Sequence, residues 1–146
     1  MLNICVDTAR VTIESIKQVF ASPLGIFLYA ALSGMIGVVI LLAFFSMVLA
    51  ESALPVLLPF VISFNGATSG FYLVDKGGDR FPHLRISLVG ISCLLVVSGC
   101  FVLTILLPWE SMLDGTRYLI TGAAAVFFSF FGAWIGSKSK NMDRAS

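Results

Sequence analysis

Chemistry buried in an apolar setting needs groups that hold a proton, a metal or a charge, and this 146-residue chain has few of them. It has one histidine, His83, and three cysteines, Cys5, Cys93 and Cys100. No His-rich or paired-Cys spacing occurs, so neither a zinc site nor a disulfide framework is expected. Cys93 and Cys100 are seven residues apart and would share one helix face as small apolar thiols, while Cys5 could be acylated. The acids are isolated, and Ser, His and Asp cannot be assembled at one depth into a nucleophile with its base. Enzymatic activity is therefore not expected. A haem with an axial histidine is excluded for a single chain, leaving only Met35 and Met47 as weak ligands, so no cofactor is expected. The strongest polar group in apolar surroundings is Asn65, with Ser63, Thr68 and Ser69 beside it. In hydrocarbon an Asn must find partners, and an interhelical hydrogen bond worth about 0.6–2 kcal/mol is the leading expectation. The alternative is a polar lining for a pore or a small-solute site.

The elements that must position these residues follow from composition. The chain is 58% hydrophobic and only 12% charged, about half the charge of a soluble domain, and its mean hydropathy is +1.01. This cannot cover a water-facing surface. Apolar stretches of membrane-spanning length fill most of the sequence, which predicts an all-α integral membrane four-helix bundle in a single domain. Spans are expected at about 24–50, 55–74, 84–107 and 117–136. The first would be about 40 Å long against a hydrocarbon core of about 30 Å, so it must tilt or protrude. Ser22-Pro23 supplies an N-cap and a first-turn proline for it. Val48-Leu49-Ala50 has the look of a cleavage site, but the apolar stretch before it is too long for a signal peptide, and a retained span is expected. Pro55 and Pro59 are placed in the first turn of the second span, and Thr116 is a cap for the fourth. Residues 6–21 carry Ala9, Ile13, Ile16 and Phe20 on one face, with Arg10, Glu14 and Lys17 elsewhere, which predicts an interfacial amphipathic helix.

Charge supplies the orientation. Arg10, Lys17, Lys76, Arg80, Arg85, Lys138, Lys140 and Arg144 fall on one side of the four-span arrangement, and Arg117 alone on the other. By the positive-inside rule the basic side and both termini are cytoplasmic, in a multi-pass protein of the cell membrane. Trp109 and Tyr118 at the outer boundary, with Tyr72 and Trp134 at the inner one, fit the same register. Between the second and third spans, Lys76, Arg80 and Arg85 form a loop that could contact anionic headgroups or a docking partner, with Asp75 and Asp79 offsetting part of the field. Nothing in the charge pattern points to nucleic acid.

With no hydrophobic drive between helices in lipid, small residues that let backbones approach do the packing. Ala30-xxx-Gly34 and Ser33-xxx-Gly37, Gly66-xxx-Gly70, and Gly132-xxx-Gly136 are the marked pairs, with Gly90, Ser92, Ser98 and Gly99 in the third span and Gly122 to Ala125 in the fourth. Gly66-xxx-Gly70 before Lys76 matches Gly132-xxx-Gly136 before Lys138, and Glu-Ser-x-Leu occurs at both Glu51 and Glu110. These matches imply two tandem helical hairpins about sixty residues apart. Glu51-Ser52, Ile62-Ser63-Phe64 leading to Gly70, Lys76-Gly77-Gly78, Gly90 and Gly132-xxx-Gly136 together resemble a group of small four-span bacterial membrane proteins of uncharacterised function, of the Gram-positive type. The resemblance covers about two-thirds of the chain and implies a four-helix membrane fold, without an activity. The expected role is that of an accessory or structural subunit of a larger membrane complex, or a homo-oligomer, with the lipid bilayer and other subunits or itself as partners. A small oligomeric channel or transporter is the alternative.

Overall fold

Among the described residues, four helices are each long and apolar enough to cross a membrane. The structure is a computed structural model and describes residues 22–78, 83–107 and 115–143. The helices are α1 (Pro23–Val48), α2 (Leu54–Gly77), α3 (Leu84–Leu106) and α4 (Gly115–Asp143). The amphipathic helix expected over 6–21 lies outside the described residues, as does Arg80.

Local sequence explains where each helix starts and stops. Ser22 sits in extended backbone and its Oγ accepts a hydrogen bond from the Gly25 N–H at 3.0 Å, with Pro23 opening the helix behind it. These are the cap and the first-turn proline that the sequence implies. A short 3-10 turn, Glu51–Ala53, leads directly into α2. α2 starts at Leu54, and Pro59 lies inside the helix and not in its first turn, because a turn of ~3.6 residues counted from Leu54 or from Pro55 ends before it. Pro59 has no N–H to give the carbonyl one turn before it. At its other end α2 closes on Gly78, whose φ of 46° is the one positive value among the described residues. A Cβ is disfavoured there, and glycine carries the chain out of the helix. α4 continues past Gly136 to Asp143, beyond the span end expected from hydropathy. Ser-Lys-Ser-Lys has no breaker, so nothing stops the helix at the point where it becomes polar.

α2 is the centre of the bundle. Half of its membrane-length window is buried, against a third for α1 and α4. It packs most extensively on α4, then on α1, and also touches α3; α1 and α4 barely meet. The buried core includes Val38 and Leu42 of α1, Leu58 and Ile62 of α2, and Ile91 and Leu95 of α3. Large apolar side chains face outward all round, among them Ile36, Phe60, Val97 and Leu119, as lipid contact requires. The alternating directions bring Lys76, Arg85 and Lys138 to one end of the bundle and Arg117 to the other.

Candidate functional site

The polar residues of the spans are drawn into a seam along the inside of the bundle. Asn65, Ser69, Ser92 and Ser129 are each 5% exposed or less. Asn65 and Ser69 are one turn apart on α2 and point at α1. Thr68 is separated from them: it is half-buried and its hydroxyl donates to the Phe64 carbonyl at 2.9 Å.

Asn65 does not make the interhelical hydrogen bond that its type implies. Its Nδ2 donates to the Val61 carbonyl of its own helix at 2.8 Å. Its Oδ1 lies against Gly37, in the space that a side chain at that position would need. The i−4 carbonyl is always within reach of a short polar side chain, and Gly37 offers α2 a place to pack, not a side-chain donor. Ser69 behaves differently again. Its Oγ is buried with no hydrogen-bond partner and sits over Gly34, whose missing Cβ it replaces. Contacts between a hydroxyl oxygen and a glycine Cα–H recur at close helix crossings.

The direct interhelical polar contact lies elsewhere. Ser92 of α3 stands 3.0 Å from the Ser129 hydroxyl and 3.3 Å from the Ala125 carbonyl of α4, while its own hydroxyl also reaches the Leu88 carbonyl at 2.8 Å. Ser129 and the equally buried Thr121 are polar residues that the sequence analysis does not single out. The signal for Ser129 was available in the small residues Ala125, Ser129 and Ala133, each four positions apart on one face.

The glycines explain how the seam closes. A Cβ on Gly70 would overlap the Ser129 carbonyl, and one on Gly132 would overlap the Ala67 carbonyl. Gly66 faces Ser129 and Ala125, and a Cβ on Gly136 would stand 3.0 Å from the Phe71 carbonyl oxygen. These contacts advance together along both helices, so α2 and α4 cross as a parallel pair at backbone-to-backbone distance. The contact is reciprocal: Gly70 meets Ser129 as Gly132 meets Ala67, each partner sixty-two positions from its counterpart. This pairs Gly70 with Gly132, one turn away from the match of Gly66 to Gly132 implied by the sequence. The reciprocity is local, because α3 packs on α2 whereas α1 and α4 barely touch. All six marked glycines, Gly34, Gly37, Gly66, Gly70, Gly132 and Gly136, thus face other helices of this same chain. Gly122 does not; a Cβ there would meet nothing within 4 Å.

At the basic end, Lys76 and Arg85 are exposed, and Lys76 pairs with the adjacent Asp75 at 3.4 Å. Such an exposed neighbour pair contributes little. Lys138 lies over the Trp134 ring at 5.7 Å, closing a run of aromatic contacts along α4 from Phe127 through Phe128 and Phe131. No protein-family model, curated protein or solved structure matches the chain.

Proposed function

We propose that the chain is a non-enzymatic multi-pass membrane protein that acts as an accessory subunit of a larger membrane complex, or as a homo-oligomer, through its outer helix faces. The observation that carries this reading is the division of its side chains. Six glycines, Gly34, Gly37, Gly66, Gly70, Gly132 and Gly136, and the polar Asn65, Ser69, Ser92 and Ser129 are turned inward against neighbouring helices, and the outside presents large apolar groups, including the aromatic run of Phe127, Phe128, Phe131 and Trp134 on α4. A bundle whose six marked glycines are already engaged meets a partner with bulky faces, in the manner of knobs packing between helices. The basic end, with Lys76, Arg85 and Lys138, favours the cytoplasmic leaflet and its anionic lipids.

Purification of the full chain in mild detergent tests this. A stoichiometric partner subunit, or a defined self-oligomer, is expected, and replacing Phe127 and Phe131 by Ala should weaken the association at least tenfold. The second reading is a small oligomeric channel or transporter lined by Asn65 and nearby hydroxyls. It draws on the buried Ser69 hydroxyl, which has no partner. A symmetric oligomer that carries a solute into liposomes, with the flux abolished by Asn65→Ala while assembly survives, would replace the first reading by the second.

A further inference from the structure

Among the buried hydroxyls of the described residues, Ser69 stands apart. Ser63, Ser92, Ser98 and Thr121 each donate to a carbonyl about one turn back on their own helix, at 2.6–2.9 Å, and Ser129 meets Ser92. Ser69 could reach the Asn65 carbonyl in the same way, yet its Oγ points at Gly34 of α1 with no partner. Four residues earlier, Asn65 turns its Oδ1 on Gly37, which has no side chain to donate to it. Two polar groups of α2 thus face α1 where α1 offers them nothing.

We propose that α1 has a second seat on α2, one helical turn further along its own direction, in which Ser33 takes the place of Gly37 and Ala30 that of Gly34. The small residues of α1 recur at this interval, as Ala30-xxx-Gly34 and Ser33-xxx-Gly37, and one-turn steps of an element past its neighbour belong to the repertoire of switching proteins. In the second seat the Ser33 hydroxyl donates to the Asn65 Oδ1. The Ala30 Cβ displaces the Ser69 hydroxyl, which turns to the Asn65 carbonyl and gains the bond it lacks. A step in the other direction is closed, because it would set Leu41 on Asn65 and Val38 on Ser69.

What the glycines touch decides that α1 is the helix that moves. Cβ atoms at Gly34 and Gly37 would meet the ends of the Ser69, Leu95 and Asn65 side chains, which can rotate. At Gly70 and Gly132 they would meet the backbone of Ser129 and Ala67, which cannot. The α2–α4 pair is therefore locked, and Ser92 ties α3 to it through Ser129. The step brings Gly34 to the place where Val38 now approaches Gly99, so α1 and α3 can close over the volume that Val38 leaves. Length permits the movement. The 26 residues of α1 extend about 39 Å at ~1.5 Å per residue against a hydrocarbon core of about 30 Å, and four residues advance it about 6 Å. No charged residue lies between Pro23 and Val48 to hold it at one depth. At the outer end, the last turn of α1 unwinds into the extended Leu49 and Ala50 and keeps the connection to α2.

Double electron–electron resonance on the full chain in phosphatidylcholine nanodiscs is the test. Spin labels are placed on Leu24→Cys and Leu119→Cys, both exposed and at opposite ends of the bundle, with Cys5, Cys93 and Cys100 replaced by Ala. Two distances are expected, the shorter by about 5 Å, close to the axial rise of four helical residues. Ser33→Ala and Asn65→Ala should each reduce the fraction at the shorter distance at least fivefold, and Leu32→Ala on the outer face of α1 should leave it as it is. A single distance before any of these changes would overturn the proposal, and so would two distances that Ser33→Ala does not redistribute. Ser33 is only half-buried and lies outside the present contact with Asn65, so its variant decides even where Asn65→Ala fails to fold.

Discussion

Ser69 and Ser92 are both serines buried to 1% exposure, yet their replacement by alanine should move stability in opposite directions. Ser69 holds its hydroxyl over Gly34 with no partner, so Ser69→Ala removes an unsatisfied group and is expected to stabilise the bundle by about 1 kcal/mol. Ser92→Ala removes the contact with Ser129 and is expected to cost about 0.6–1.7 kcal/mol. Equilibrium unfolding in mixed detergent micelles measures both, and a loss of stability in Ser69→Ala would show that the hydroxyl has a partner after all. Asn65 shows why residue type alone misleads at this scale. Its amide was expected to bridge helices, but the carbonyl one turn back satisfies the NH₂ group and leaves only the oxygen to pack on Gly37.

At the scale of elements, the parallel pair of α2 and α4 depends on backbone approach. Gly132→Val should destabilise the fold by about 1–3 kcal/mol or more, because its Cβ would meet the Ala67 carbonyl. Gly122→Val, with open space beside it, should stay within about 0.5 kcal/mol. Thermal unfolding of the two variants side by side checks the contrast. The four helices were legible from the sequence because hydropathy and the Ser22-Pro23 signal act locally. The pairing of α2 with α4 was only half legible. Small residues mark a face, but Gly66-xxx-Gly70 and Gly132-xxx-Gly136 are compatible with several registers a turn apart. What selects one is the fit of Ala67 and Ser129 into the opposing glycines, a property of two surfaces together. For the same reason Gly122 could not be told from Gly132 in advance, and the extension of α4 to Asp143 could not be read from where hydropathy ends.

At the scale of the molecule, the two halves of the chain meet chiefly through α2 and α4, with α1 and α3 adding a second parallel contact. A chain divided between Gly78 and His83 and co-expressed as 1–78 and 83–146 is therefore expected to reassemble. Co-purification of the halves reads this out, and Gly70→Leu should reduce it at least tenfold; recovery of the halves only as separate species would contradict the architecture. The position of α2 at the centre also places the polar seam beneath every outer face, so a partner that docks on α1 or on α4 contacts a helix one layer removed from Asn65 and Ser69.

The reciprocal crossing of Gly70 and Gly132 has a temporal side. Ribosomes add about 5–20 residues per second, so the last residue of α2 is synthesised roughly 3–11 s before Gly132, which covers Ala67. During that interval α2 has α1 beside it but carries a bare glycine face, and α3 arrives with Ser92 still lacking Ser129. The nascent protein is thus most vulnerable just before its last helix emerges, and a truncation there exposes the very surface that membrane quality control would be expected to detect.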